Sequence, residues 1–255
     1  MIERFLKHQF LFEELVKRDF KVKYKRTVLG MGWSVLSPLL TLLVMNIVFS
    51  HFFGRGIKHY TIYLFCGNLI FSYYIESTSG VMNSLMSNSK IFSKINIPKY
   101  MFLLSKNVSS LINFGLTLLV FFMFCLTDGI DFGIHFIALI YPIIFLVVFN
   151  IGVGLVLSAL FVFYRDMSYL YDVFTMLLMY MSAIFYNIDI MPLQYQKLFL
   201  LNPIYVYIKY FRDVVLQGDI PSFEIHLLCA FYAIVALLAG AWIYKKNNYK
   251  FLYYV

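Results

Sequence analysis

Long apolar runs alternate with short polar ones along nearly the whole chain. The apolar runs cover residues 33–53, 60–82, 102–126, 136–163, 169–188 and 225–244. The first holds about 21 residues, which at ~1.5 Å each rise roughly 31 Å, enough to cross the hydrocarbon core of a bilayer. Backbone polar groups in lipid must be satisfied within their own segment, so each run is read as a helix. The second run is the least apolar and contains Glu76. Ahead of the first, residues 2–20 repeat at helical spacing. Ile2, Phe5, Leu6, Phe12, Val16 and Phe20 fall on one side and Glu3, Arg4, Lys7, Glu14 and Arg18 opposite, as in a helix lying along a membrane surface.

Two connections are more than loops. Residues 83–106 are polar and basic around Ile95-Asn96-Ile97-Pro98 and long enough for a short helix across the membrane face. Residues 192–221 are too apolar for a solvated loop and break at Asn202-Pro203, an N-cap followed by Pro at the first helical position. Beyond it Tyr207, Ile208, Phe211 and Val215 form an apolar stripe, with Lys209, Arg212 and Asp213 expected to point elsewhere. This reads as a pair of short helices dipping back into the outer leaflet. The pattern predicts an all-α polytopic membrane protein with six transmembrane helices. Its N-terminal segment is basic and amphipathic (1–32), its spans lie within 33–244, and a tail follows (245–255).

Charge fixes an expected orientation. With the N-terminus inside, sixteen Lys and Arg fall on the cytoplasmic side and five outside: Arg55, Lys58, Lys197, Lys209 and Arg212. The bias favours an even number of spans, with both termini cytoplasmic in a multi-pass protein. Composition agrees: 62% of residues are hydrophobic, 20% aromatic and only 13% charged. A water-soluble domain could not hide so much apolar surface. The net charge of +8 sits mainly at span ends, so it speaks for membrane orientation and not for a nucleic-acid partner. The charged stretch from Glu3 to Arg26 precedes any long apolar run, so no signal peptide is expected.

Candidate chemistry is sparse. The sequence has no GxxxxGK[ST], HExxH or GxSxG motif and no metal-spaced His, Cys and Asp cluster. Cys66, Cys125 and Cys229 lie in apolar runs as free thiols, and the five histidines are scattered near span ends. Glu76 is the carboxylate most plainly inside a span, which makes it either functional or a side chain reaching water from the inner end. Arg165, Asp166 and Asp172 read as an ion cluster at the inner interface. Arg18, Lys21, Lys23, Lys25 and Arg26 gather cations just ahead of the first span, where a diphosphate headgroup would need them or where they simply orient the helix. Polar or amphipathic residues of the first span (Trp33, Ser37, Thr41, Asn46, Ser50) and Tyr180, Ser182, Phe185 and Tyr186 of the fifth are candidates to line a wet path. For Ser37 and Ser182 helix packing is an equal alternative, and most of the 21 Tyr and 28 Phe belong to interfacial belts or lipid-facing surface.

Several segments in order resemble the membrane subunits of type-2 ABC transporters that export polysaccharides, such as O-antigen, capsule and teichoic-acid exporters. The first is Arg18-Asp19-Phe20-Lys21-Val22-Lys23-Tyr24-Lys25, with Val28-Leu29-Gly30, Trp33 and Leu36-Ser37-Pro38. The second is Asn83-Ser84, Asn88-Ser89-Lys90-Ile91, Lys94 and Ile97-Pro98-Lys99. The third is Phe163-Tyr164-Arg165-Asp166 with Ile184-Phe185-Tyr186, and the last Leu201-Asn202-Pro203 with Phe211-Arg212-Asp213-Val214-Val215. Ala183 departs from a frequent Pro and Ile97 from a frequent Phe. The resemblance implies a non-enzymatic permease subunit of the bacterial cytoplasmic membrane, paired with a second copy and two ATPase subunits and moving a lipid-linked glycan. ATP and magnesium would act on the partner, with no cofactor on this chain. It makes the second segment a coupling helix, with Lys90, Lys94, Ile95, Ile97, Pro98 and Lys99 against the ATPase. A permease for a drug or another lipid, or a membrane-embedded lipid- or glycan-modifying enzyme, are the competing expectations.

Overall fold

The computed structural model describes residues 8–25, 27–54, 57–95 and 97–254. Among these every regular element is helical, with no strand. Helix α1 (Gln9–Tyr24) leads, followed by the long helices α2 (Trp33–Phe53) and α3 (Tyr60–Ser87). A single turn, α4 (Ser89–Phe92), precedes α5 (Tyr100–Thr127) and α6 (Ile140–Phe163). The shorter α7 (Met167–Met181), α8 (Leu193–Phe199) and α9 (Pro203–Arg212) come next, then α10 (Phe223–Asn247) and a closing turn, α11 (Phe251–Tyr254).

Four described segments are long and apolar enough to cross a membrane: Gly30–Phe53, Tyr100–Thr127, Ile134–Phe163 and Phe223–Asn247. The first expected span coincides with α2 in both bounds. The second begins at Tyr60 as expected but runs to Ser87, past Met82, so the inner connection shrinks to residues 88–99. The fifth falls short, because α7 stops at Met181 and not near Ile188. The chain turns there at Ser182, and Ala183 takes a φ of +48°, outside helical space.

The core is organised around α3, whose residues from Tyr60 to Tyr74 are nearly all buried between α5, α6 and α9. Helices α6 and α10 run together because Gly152 and Gly240 let their backbones touch. A Cβ on Gly152 would lie 2.3 Å from the Ala236 carbonyl carbon, and one on Gly240 2.3 Å from the Gly152 oxygen. A second apolar cluster closes the end of the bundle that carries α1. Leu15, Phe92, Ile97, Phe102, Val162, Tyr244 and Phe251 meet there, joining the N-terminal helix, the inner connection and the C-terminal turn.

Helix α1 differs from its expected amphipathic form. Residues 1–7, with Ile2, Phe5 and Leu6, lie outside the described residues. In the rest the most buried positions are Leu15 and Asp19, packed on α5, while Phe12, Val16 and Phe20 are only partly covered.

The segment before α10 also departs from expectation. Asn202 caps α9 as its sequence predicts, accepting from the Ile204 and Tyr205 amides. Tyr207, Ile208, Phe211 and Val215 are buried, but so are Arg212 and Asp213. Arg212 turns inward because the broken end of α7 leaves carbonyls without helical donors. Its guanidinium donates to the Ala183 oxygen (2.9 Å), the Ile184 oxygen (2.9 Å) and the Tyr63 oxygen (3.2 Å). It lies 3.4 Å above the centre of the Tyr63 ring.

Candidate functional site

The sequence features of greatest chemical interest converge on one cleft. It lies between the first half of α2 and the middles of α3 and α5, and encloses about 400 Å³. Lys23 and Thr27 approach it from the end of α1 and the segment beyond. Trp33, Ser37 and Thr41 line it from α2, Tyr73 and Glu76 from α3, and Asn113 and Thr117 from α5. The local chemistry explains the placement. Pro38 within α2 supplies no backbone N–H, and the Thr41 hydroxyl turns back to the Ser37 carbonyl at 2.9 Å. Polar groups that lipid would not accept are turned toward one another.

Glu76 is the centre of the cleft's electrostatics. Lys23 pairs with it at 2.9 Å, and the Asn113 amide donates to both carboxylate oxygens at 3.1 and 2.9 Å. Both charged partners remain partly exposed, so the pair is held without full desolvation. The sequence singled out Glu76 and Lys23 but offered no signal for Asn113, which lies on a different helix and a distant stretch of chain.

Of the other basic residues expected ahead of the first span, Arg18, Lys21 and Lys25 do not converge on the cleft. Arg18 donates to Asp19 at 2.8 Å, and Asp19, buried against α5, also accepts from Ser105 and pairs with Lys106 at 3.5 Å. Lys21 and Lys25 are exposed, and Arg26 lies outside the described residues.

The path candidates separate into two groups. Trp33, Ser37 and Thr41 belong to the cleft. At the opposite end of the bundle Tyr180, Phe185 and Tyr186 meet: the Tyr180 and Phe185 rings lie 6.3 Å apart, and the Tyr186 hydroxyl donates to the Tyr180 carbonyl at 2.8 Å. Phe49 of α2 packs on Phe185 at 4.4 Å, so this aromatic group bridges two helices. Asn46 and Ser50 lie along α2, Asn46 accepting from Thr61 at 3.4 Å and Ser50 beside His51. Ser182 is buried, bonded to the Leu178 carbonyl at 2.6 Å and to Asn202 at 3.0 Å, a packing role.

The inner connection divides as well. Lys90, Lys94 and Ile95 are exposed, Ile97 is buried in the inner cluster, and Asn96 lies outside the described residues. Pro98 precedes the start of α5, and Lys99 donates to the Asn248 carbonyl at 2.8 Å between the Phe92 and Phe251 rings. That enclosure lowers the Lys99 pKa by desolvation. Lys99 thus ties the C-terminal turn to the connection. Arg165 and Asp166 lie exposed where α6 gives way to α7, with Asp172 on α7. Among the described residues no three His, Cys, Asp or Glu side chains gather as a metal site.

Residues 11–216 match the family model described as ABC-2 type transporter. An O-antigen export system permease protein of Klebsiella pneumoniae is 28% identical over 247 residues, covering 95% of both chains. A protein of the same description from Myxococcus xanthus is 21% identical, covering 98% of this chain and 97% of its own. A polysialic acid transport protein of Escherichia coli is 20% identical, covering 92% and 93%.

Proposed function

The chain belongs to the ABC-2 type transporter family, and from that premise we propose that it is the membrane subunit of an ATP-driven exporter moving a lipid-linked polysaccharide across the bacterial cytoplasmic membrane. The observation that carries the reading is that relatives named for O-antigen or polysialic acid transport align over nearly their whole length and this one's. ATP and magnesium belong to a separate ATPase pair, and this chain binds no cofactor of its own.

In this reading α2, α3, α5, α6, α7 and α10 are six spans, with both termini in the cytoplasm. Residues 1–32 form the cytoplasmic interface segment, 33–244 the permease domain and 245–255 the tail. Helices α8 and α9 form the pair that re-enters from outside. The break at Ser182 and Ala183, sealed by Arg212, supports that arrangement, since irregular backbone at membrane depth needs protein cover. A cysteine introduced at Asp131 or Gln196 reacts with an impermeant thiol reagent from outside, and one at Asn88 or Asn248 does not. Labelling of position 88 in intact cells reverses the topology.

Two copies form the path. Support comes from α7, which leaves Tyr169, Leu170, Val173, Phe174 and Met176 exposed on one short helix. Between the copies, the headgroup is drawn to Lys21, Lys23 and Lys25 at the inner surface, with Arg18 and Arg26 adding to the field. The aromatic group of Tyr180, Phe185 and Tyr186 guides the glycan at the outer exit. ATP-driven closure of the partner subunits pushes on the inner connection, and the two helix arrangements differ in their contacts with the glycan.

The test is deletion of the chain in cells that keep the ATPase. Glycan disappears from the surface and its lipid-linked form accumulates inside, and the wild-type chain restores export. Unchanged surface glycan in the deletion strain overturns the reading.

A further inference from the structure

A further cavity opens at the end of the bundle opposite α1 and encloses about 440 Å³, within the range of small-molecule sites. It lies between the turn that leads into α3, the connection before α8, α8 itself, α9 and the π-helical turn Asp213–Gln217 that follows. Four cations line it, Lys58, Lys197, Lys209 and Arg212, against two carboxylates, Asp189 and Asp213, so two positive charges remain. Arg55, two residues ahead of Ile57 on the wall, lies outside the described residues, and being a cation it does not reverse that sign.

The cations differ in what they hold. Arg212 donates to the Tyr63, Ala183 and Ile184 carbonyls, and Lys209 pairs with Asp213 at 3.1 Å. Asp189 accepts from the nearby Asn187 amide at 2.9 Å. Lys58 and Lys197 are exposed and, among the described residues, make no ion pair or hydrogen bond. These two lysines are the cations free to bond a ligand.

A separate observation points to one. Tyr205 of α9 is 4% exposed, and its hydroxyl has no hydrogen-bond partner among the described residues. It is not one of the sealed unbonded atoms of the bundle, which belong to Tyr73, Tyr100, Asn150 and Tyr244. Its charged neighbours are Arg212, Asp213 and Asp189, all on the cavity wall. The O–H therefore opens on the cavity and lacks an acceptor there. Two ammonium groups and a phenol together offer donors and call for an oxygen anion. A carboxylate brings one charge. A phosphate monoester brings about two at pH 8, with three strong acceptor oxygens, and so matches the excess on the wall. Leu200 and Leu216 on the same wall suit the carbon chain of an ester.

We propose that this cavity is a phosphate site: Lys58 and Lys197 bond the oxygens of a dianionic phosphate group, and Tyr205 donates to one of them. The group comes from a lipid headgroup or from free phosphate, two sources with one chemistry. The site stands on its own geometry and requires no export by the chain. It adjoins the outer aromatic group, since Tyr63 on the cavity wall donates to the Tyr186 carbonyl at 2.7 Å.

The test uses the full-length chain in phosphatidylcholine nanodiscs at pH 8 and low salt, with empty nanodiscs as the blank. Isothermal titration calorimetry with butyl phosphate and with inorganic phosphate gives saturable binding of at least one. Tighter binding of butyl phosphate assigns a lipid-borne group, and equal or weaker binding assigns free phosphate; both support the site. Butyrate binds at least about ten-fold more weakly than the better phosphate, having half its charge. Replacing both lysines, Lys58→Gln with Lys197→Gln, weakens phosphate binding at least about ten-fold, the loss of two charge-assisted bonds. The melting temperature of that variant without ligand is unchanged, since neither ammonium has a protein partner. Tyr205→Phe weakens binding about five- to ten-fold, the loss of one hydrogen bond, and its melting temperature stays level or rises.

Absence of saturable binding by both phosphates overturns the proposal. So does butyrate binding as tight as that of phosphate, which makes the cavity a general anion trap. Wild-type affinity in the double lysine variant overturns it as well, and so does wild-type affinity in Tyr205→Phe, which leaves that hydroxyl to water alone.

Discussion

Helices α2 and α3 follow one another in the chain and stand in opposite relations to the rest of the protein. α2 is among the four segments apolar enough to span a membrane, yet it buries only Ser34 and Leu42. α3 is not among them, and it is buried along almost its whole length. In a water-soluble protein the more apolar helix would be the inner one. Here lipid accepts apolar side chains at no cost, while Asn68, Glu76, Ser77 and Thr78 must find partners inside protein. Ser77 does so with Asn107 at 2.6 Å and Thr78 with Tyr171, each on another helix. Burial in this fold follows the need of polar groups for partners more than the hydrophobicity of the segment.

The comparison breaks most visibly at Arg212, which fastens α9 and the end of α7 to α3. Replacing it with Met leaves the Tyr63, Ala183 and Ile184 carbonyls without that donor. A loss of about 3–5 kcal/mol, or failure to assemble, is expected. Arg212→Lys recovers only part of it, because one ammonium cannot serve three carbonyls in the same geometry. Thermal unfolding in nanodiscs measures both. An unchanged melting temperature for Arg212→Met removes α3 from its central place.

Leucine truncation sharpens the contrast directly. Leu64 of α3 is 0% exposed and Leu43 of α2 is 54% exposed. Leu64→Ala is expected to cost about 2–4 kcal/mol by opening a cavity, and Leu43→Ala less than about 0.5 kcal/mol. Equal costs would mean that the exposed face of α2 is covered after all, as by a second copy of the chain.

The inner connection repeats the contrast on a smaller scale. Ile95 is 57% exposed and Ile97 only 7%. Ile97→Asp buries a carboxylate in the apolar inner cluster and is expected to lower stability by about 2–3 kcal/mol. Ile95→Asp should leave stability within about 0.5 kcal/mol and uncouple ATP hydrolysis from export. Wild-type ATPase stimulation and export in Ile95→Asp would remove Ile95 from the partner contact.

The smallest expected change in stability is at Glu76. The Lys23–Glu76 pair is about two-fifths exposed, with side-chain accessibilities of 43% and 35%. Glu76→Gln should therefore shift stability by less than about 0.5 kcal/mol. Export is expected to fall several-fold, since the variant removes the carboxylate that Lys23 and Asn113 share. Export at the wild-type rate would assign Glu76 to helix packing alone.

Much of the architecture was legible in the residue pattern. The bounds of α2, the start of α3 and the cap at Asn202 follow from rules that act within a few residues: apolar run length, and an acceptor side chain before a proline. The candidate site was half legible. Glu76 announced itself as a carboxylate in an apolar run and Lys23 as one of a basic set. Asn113 and Asp19 carried no local signal, because an Asn or an Asp within a helix is commonplace until a distant partner gives it a role.

By itself the sequence determined that the chain is helical and built for a membrane, since no packing choice can reconcile so many long apolar runs with water. It also set the family, through motifs spread in order along the chain. Only the tertiary structure decided which helix became the centre, where α7 broke, and that Arg212 would turn inward to hold the broken end. Those outcomes depend on hydrogen bonds between residues far apart in sequence, where the cost of an unpaired polar group in a place without water selects one packing over the alternatives.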